Sequence, residues 1–130
     1  MERWEFKPLV SIGKIEFGMD RNQIHQLFVE KCKEFKKSKY SKNTTDDYGK
    51  FHVFYTVDNK VEAVEIFDDI EVIMNDVVIF PVLIENSESI LGSMTEEAGS
   101  YIQTEKSVGI YAPEKKGESI LVGKKGYYSI

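Results

Sequence analysis

Apolar positions alternate with polar ones along several stretches of the chain and fall at spacings of three and four in others. Lys14 to Phe17 alternates, with Ile15 and Phe17 on one side, and Gly18 then frees the backbone to bend. Asp20 follows as an N-cap, and Gln23, three residues on, completes a loose capping-box pattern. Beyond the cap, Ile24, Leu27, Phe28, Cys32 and Phe35 recur at helical spacing, while Arg21, Gln26, Glu30, Lys33 and Lys37 lie mostly elsewhere on the wheel. This spacing predicts one long amphipathic helix. Ahead of it, Glu5 to Val10 mixes apolar and polar residues around Pro8 and reads as a short edge strand or an extended arm.

The middle of the chain has the period of strands. Ser41 to Gly49 is polar and reads as a loop, after which Phe51, Val53, Tyr55 and Val57 alternate with His52, Phe54 and Thr56. Val61 to Phe67 follows the pair Asp58-Asn59, two residues that tolerate the positive φ of a tight hairpin turn. A second hairpin is expected in EVIMNDVVIF, with Asn75-Asp76 at its tip, so that four consecutive strands would form an antiparallel meander. Pro81 suits the first turn of a helix, and Val82, Leu83, Ser87, Ile90 and Leu91 allow a short one ending near Gly92. Strands are expected at Tyr101 to Gln103, Gly109 to Ala112 and Ser119 to Val122, with PEKKGE as the turn between the last two and GYYSI as a final strand.

Phe54 to Ile66 can be laid over Ile110 to Val122 at an offset of 56 residues, which matches Tyr55 with Tyr111, Lys60 with Lys116, Glu62 with Glu118 and Val64 with Ile120. Each copy follows a predicted helix and a polar loop. The match is that of a duplication, with halves at 12–68 and 77–123, or of two amphipathic hairpins that arose separately. The fold class expected on these patterns is α+β: a twisted antiparallel sheet with one long and one shorter helix packed on one face, in a single domain over 1–130.

Composition narrows the function without naming it. A chain of 130 residues with 42% hydrophobic and 30% charged residues is that of one globular domain. Its longest apolar runs, such as Val77 to Leu83, fall far below the ~20 residues of a membrane span. MERWEFKPLV lacks the continuous apolar region of a signal peptide, and a lone Cys32 cannot form an internal disulfide, so a cytoplasmic protein is expected. The net charge of -5 speaks against nucleic acid as a partner. Lys31, Lys33, Lys36, Lys37, Lys39 and Lys42 form a basic stretch that reads as a solvated helix end, whereas Asp46, Asp47, Asp58, Asp68, Asp69, Glu71 and Asp76 load the next segment with carboxylates.

No phosphate loop, HExxH helix, cysteine pair or nucleophile elbow occurs, and no cofactor is implied. His25 and His52 could meet in space, and His52 with Tyr55 could support acid and base work, but two histidines in any sequence allow that description. His25 has no second ligand at metal spacing on its helix, and Cys32 lies on the apolar face as a core residue would. Asp68, Asp69 and Glu71 lack the spacing and glycine of a calcium loop, which leaves a solvated turn or a docking patch for a basic partner.

SIGKIEFGMDRNQIHQLF, with its strand, Phe-Gly-Met joint and amphipathic helix, resembles the opening of small bacterial immunity proteins of polymorphic and contact-dependent toxin systems. FYTVDNKVEAVEIF and GIYAPEKKGESILV resemble the paired hairpins of that group, in the tandem helix-loop-sheet manner of beta-lactamase-inhibitor-protein-like architectures. The resemblance implies a cytoplasmic antidote that binds a cognate toxin domain, a basic nuclease being one such partner, and performs no catalysis. Charge then selects Asp46, Asp47, Asp68, Asp69 and Glu71 as the residues that would steer the toxin, with Tyr48 among the tyrosines that would anchor it. The alternatives are a non-catalytic small-molecule-binding or assembly module and, further off, an enzyme using His52.

Overall fold

Trp4 and Phe6 point into the core and Arg3 and Glu5 away from it, and the N-terminal segment pairs on both sides, inside a sheet rather than at its edge. The computed structural model describes residues 2–67 and 69–128. In chain order the elements are β1 (Glu2–Lys7), β2 (Ser11–Ile12), β3 (Ile15–Glu16), α1 (Arg21–Leu27), β4 (Lys33–Phe35), β5 (Thr45–Asp47), β6 (Phe51–Tyr55) and β7 (Val61–Phe67). They continue with β8 (Ile70–Met74), β9 (Val77–Phe80), α2 (Ile84–Leu91), β10 (Thr95–Glu97), β11 (Ser100–Gln103), β12 (Val108–Tyr111) and β13 (Ser119–Gly123).

The strands form two sheets. Five strands run β3-β2-β1-β8-β9, with β1 parallel to β8, and eight run β10-β11-β12-β13-β7-β6-β5-β4, antiparallel throughout. The expected α+β fold with a long helix is therefore overturned: the protein is mostly β, and its helices have seven and eight residues. α1 stops at Leu27, where Phe28 turns extended, and the stretch expected to continue it instead pairs as β4 with β5 through Lys33↔Asp47 and Phe35↔Thr45. The expected meander also fails. Both hairpins form, yet β8 leaves β7 to pair with β1 in the other sheet.

The eight-stranded sheet is ordered symmetrically about its central pair, β13 and β7, joined through Ile120↔Ile66 and Val122↔Val64. One local connection occurs on both sides of that centre. The Arg21 N–H donates to the Asn59 carbonyl at 2.9 Å and Val61 N–H to Met19 at 2.9 Å; the Ile84 N–H donates to Lys115 at 2.7 Å and Gly117 N–H to Val82 at 3.0 Å. Asp20 bridges to Lys60 in the first case and Leu83 to Lys116 in the second, the two lysines that the sequence match aligns. Capping chemistry differs: the Gln23 side chain accepts the Asp20 N–H at 3.0 Å, whereas Leu83 offers no side-chain cap. Gly18, at φ 90°, makes the bend before α1 that a side chain would strain.

One face of the large sheet is buried and the other is partly open. Phe51, Val53, Val64, Ile66, Ile110, Ile120 and Val122 join Trp4, Phe6, Ile70, Val72, Phe80, Ile24 and Leu91 in a single core between the two sheets. By strand alternation, Phe35, His52, Phe54, Glu65, Phe67, Leu121 and Tyr111 occupy the opposite, outer face. Among the described residues, Lys125 to Tyr128 fold back there as turns; Ser129 and Ile130, the end of the expected final strand, lie outside the described residues. The Tyr128 hydroxyl donates to the Leu121 carbonyl at 3.3 Å, and a Cβ on Gly123 would lie 2.6 Å from Tyr127 Cβ. Gly123→Val is therefore expected to lift this segment, and trypsin should cut after Lys124 and Lys125 several-fold faster than in the parent chain.

Candidate functional site

Among the described residues, Asp46 is the charged side chain that is fully buried. β5 turns it inward opposite Val53, and it has no accessible surface. Asp46 Oδ1 accepts from Arg21 Nη2 at 2.6 Å, while Oδ2 accepts from the Tyr55 hydroxyl at 2.7 Å and lies 2.7 Å from His25 Nε2. Arg21 and His25 reach it together because residues four apart share one face of α1. The guanidinium also donates to Asn43, Thr44 and Asn59 and lies 4.4 Å above the Tyr55 ring. Burial alone would push the Asp46 carboxyl up, but bonds from Arg21, Tyr55 and His25 outweigh it and hold the group below its ordinary value. Burial and the Asp46 charge push the Tyr55 phenol well up.

Beside this carboxylate is a thiol. Donor atoms of His25, Cys32 and Asp46 all lie within 4.8 Å of one another. A surface cavity of about 270 Å³, lined in part by Phe28, Glu30 and Tyr48, opens onto His25 and Cys32, with Asp46 buried behind them. Burial and the facing carboxylate raise the Cys32 thiol, so at neutral pH it carries its proton and is a poor nucleophile. Tyr48 stacks on Phe51 with ring centroids 5.0 Å apart, and burial with the Cys32 neighbour raises its phenol.

The residues selected from charge are separated by the fold. Asp46, expected to steer a partner, is sealed inside and spends its charge on Arg21, which corrects that expectation. Tyr48 packs into the core cluster and borders the cavity. Asp47 accepts from the Gly49 N–H at 2.7 Å and stands 3.2 Å from His52. Asp69 is exposed, Glu71 is paired with Arg3 at 2.8 Å, and Asp68 lies outside the described residues. His25 and His52 do not meet, since one bonds Asp46 on the inner face and the other sits on the outer face; His52 and Tyr55 are likewise on opposite faces. Sequence reasoning passed over Arg21 and the role of Cys32. The signal for Arg21 was its i, i+4 spacing to His25, and Cys32 offered none without the fold.

On the outer face, His52 lies edge-on between Phe35 and Phe67, at 5.2 and 4.9 Å, with Asp47 and Glu65 within 3.2 and 3.8 Å of its ring nitrogens. Lys37, read as part of a helix end, instead places its ammonium 4.1 Å over Phe54. Burial, Glu62 and Glu65 push the Tyr127 phenol up to about 12 at the border of this patch. Among the described residues, no helix is long and apolar enough to cross a membrane. Compared with family models, with curated proteins and with solved structures, the chain matches none.

Proposed function

We propose that the chain is a binding protein that takes a basic protein partner on the outer face of its eight-stranded sheet. The partner in this reading is a bacterial toxin domain, neutralised in the cytoplasm. The observation that carries the proposal is the half-buried aromatic patch of Phe35, His52 and Phe67, rimmed by the carboxylates of Asp47 and Glu65. Aromatic rings set among polar groups are the composition of interface centres, and a carboxylate rim favours a cationic partner. The net charge of -5 and the resemblance of the helix entry and hairpins to immunity proteins support the same reading.

The test uses the purified chain as bait for the protein encoded beside it. Tight one-to-one binding is expected, and Phe67→Arg or Leu121→Arg should weaken it by at least ~30-fold, the effect of losing a contact of about 2 kcal/mol. Asp47→Lys should chiefly slow association and reduce its dependence on salt. Binding untouched by Phe67→Arg and Leu121→Arg would remove this face from the reading.

A further inference from the structure

We propose that His25, Cys32 and Asp46 form a site for one divalent metal ion of borderline softness, zinc being the best fit, independent of the sheet face used for partner binding. Three segments supply the donors: α1 gives an imidazole nitrogen, the loop after it a thiol, and β5 a carboxylate oxygen. Nitrogen, sulfur and oxygen donors in this mixture suit zinc and cobalt, whereas calcium and magnesium require oxygen alone.

The geometry is close to what a small ion needs. With metal–sulfur and metal–nitrogen bonds of about 2.3 and 2.0 Å, tetrahedral ligand atoms sit about 3.3–3.5 Å apart. Here the donor atoms lie within 4.8 Å of one another, so small side-chain rotations close the triangle. The 2.7 Å contact between His25 Nε2 and Asp46 Oδ2 has to widen by about half an ångström. An ion inserted there takes the place of the shared proton.

The surrounding groups hold the ligands as a metal site requires. Arg21 grips Asp46 Oδ1, the oxygen turned away from His25, and Tyr55 donates to Oδ2, so the carboxylate's orientation is set before an ion arrives. Tyr48 lines the same cavity as Cys32 and His25. The thiolate and the carboxylate supply two negative charges to the ion, and the Arg21 guanidinium on Asp46 leaves one positive charge over, which an anionic fourth ligand would balance. The fourth position faces the cavity beside Glu30 and Tyr48, where water or an outside ligand can bind. The ion would tie α1 and the end of the loop that leads into β4 to β5, the strand with which β4 pairs.

Cobalt(II) titration of the full chain tests this directly. One equivalent should bind with a thiolate-to-cobalt charge-transfer band and the intense visible bands of tetrahedral cobalt, and zinc should displace it. Cys32→Ser should abolish the charge-transfer band, and His25→Gln should weaken binding by at least the roughly 10–100-fold that loss of an outer-shell partner costs. Both side chains reach the surface, so these variants should fold, which Trp4 fluorescence checks, whereas Asp46 substitutions are too destabilising to serve. Absence of the charge-transfer band, one ion per two chains, or undiminished affinity in His25→Gln would overturn the site.

Discussion

Asp46→Asn is expected to destabilise the protein by about 3–5 kcal/mol, the usual cost of removing one partner from a buried ion pair. The loss comes from what is left behind. Arg21, with 11% of its side chain exposed, would keep its charge without a counter-charge, and an amide cannot accept from Arg21, His25 and Tyr55 together. Glu34→Gln is the control: Glu34 approaches Arg21 only to 3.8 Å and its side chain is 58% exposed, so its loss should change stability by under ~0.5 kcal/mol. Urea unfolding followed by Trp4, the single tryptophan, measures both.

The sign of the pH dependence separates charge from packing. The folded carboxyl of Asp46 titrates below its ordinary value, so its contribution is present above the unfolded pKa of about 3.9 and is lost as pH falls through the folded one. The gap between parent and Asp46→Asn should therefore narrow as the solution is acidified. A gap that stayed constant into acid would mean that the substitution acts through shape alone.

Sequence periodicity located the local pairs and missed the distant ones. Asp58-Asn59 and Asn75-Asp76 mark real hairpin tips, with Asn59, Asn75 and Asp76 all at positive φ, because turn chemistry is written in adjacent residues. The short helix before Gly92 and the strands β11, β12 and β13 were legible for the same reason. Helical spacing misled after Leu27. Ile24 enters the core from α1 and Phe28 stacks with Trp4 and packs at a tilt on Phe51, but Phe35 lies on the other side of the sheet beside His52. Residues from a helix, a loop and a strand had matched one wheel by coincidence of spacing. The parallel pairing of β1 with β8, and the meeting of Arg21, Asp46 and Tyr55, join positions far apart in the chain, which no local period encodes.

The second large effect is expected at Phe80, where Phe80→Ala should cost about 3–5 kcal/mol. Phe80 is fully buried, and its ring lies where a Cβ on Gly117 would come within 2.8 Å. Gly117 is also the residue whose N–H holds the entry to α2 through Val82. The corresponding place before α1 is filled differently. There Phe17 is only partly buried, and Val61, which bonds Met19 as Gly117 bonds Val82, supplies its own buried side chain. A large ring against a glycine on one side is thus matched by a branched side chain and a less buried ring on the other. Phe17→Ala should accordingly cost well under the Phe80→Ala value. Gly117→Ala should cost about 1–3 kcal/mol in the parent and clearly less in a Phe80→Leu background, because the clash it creates is with that one ring. Additive costs in the double variant would show that Gly117 is required for its backbone and not for the room it leaves to Phe80.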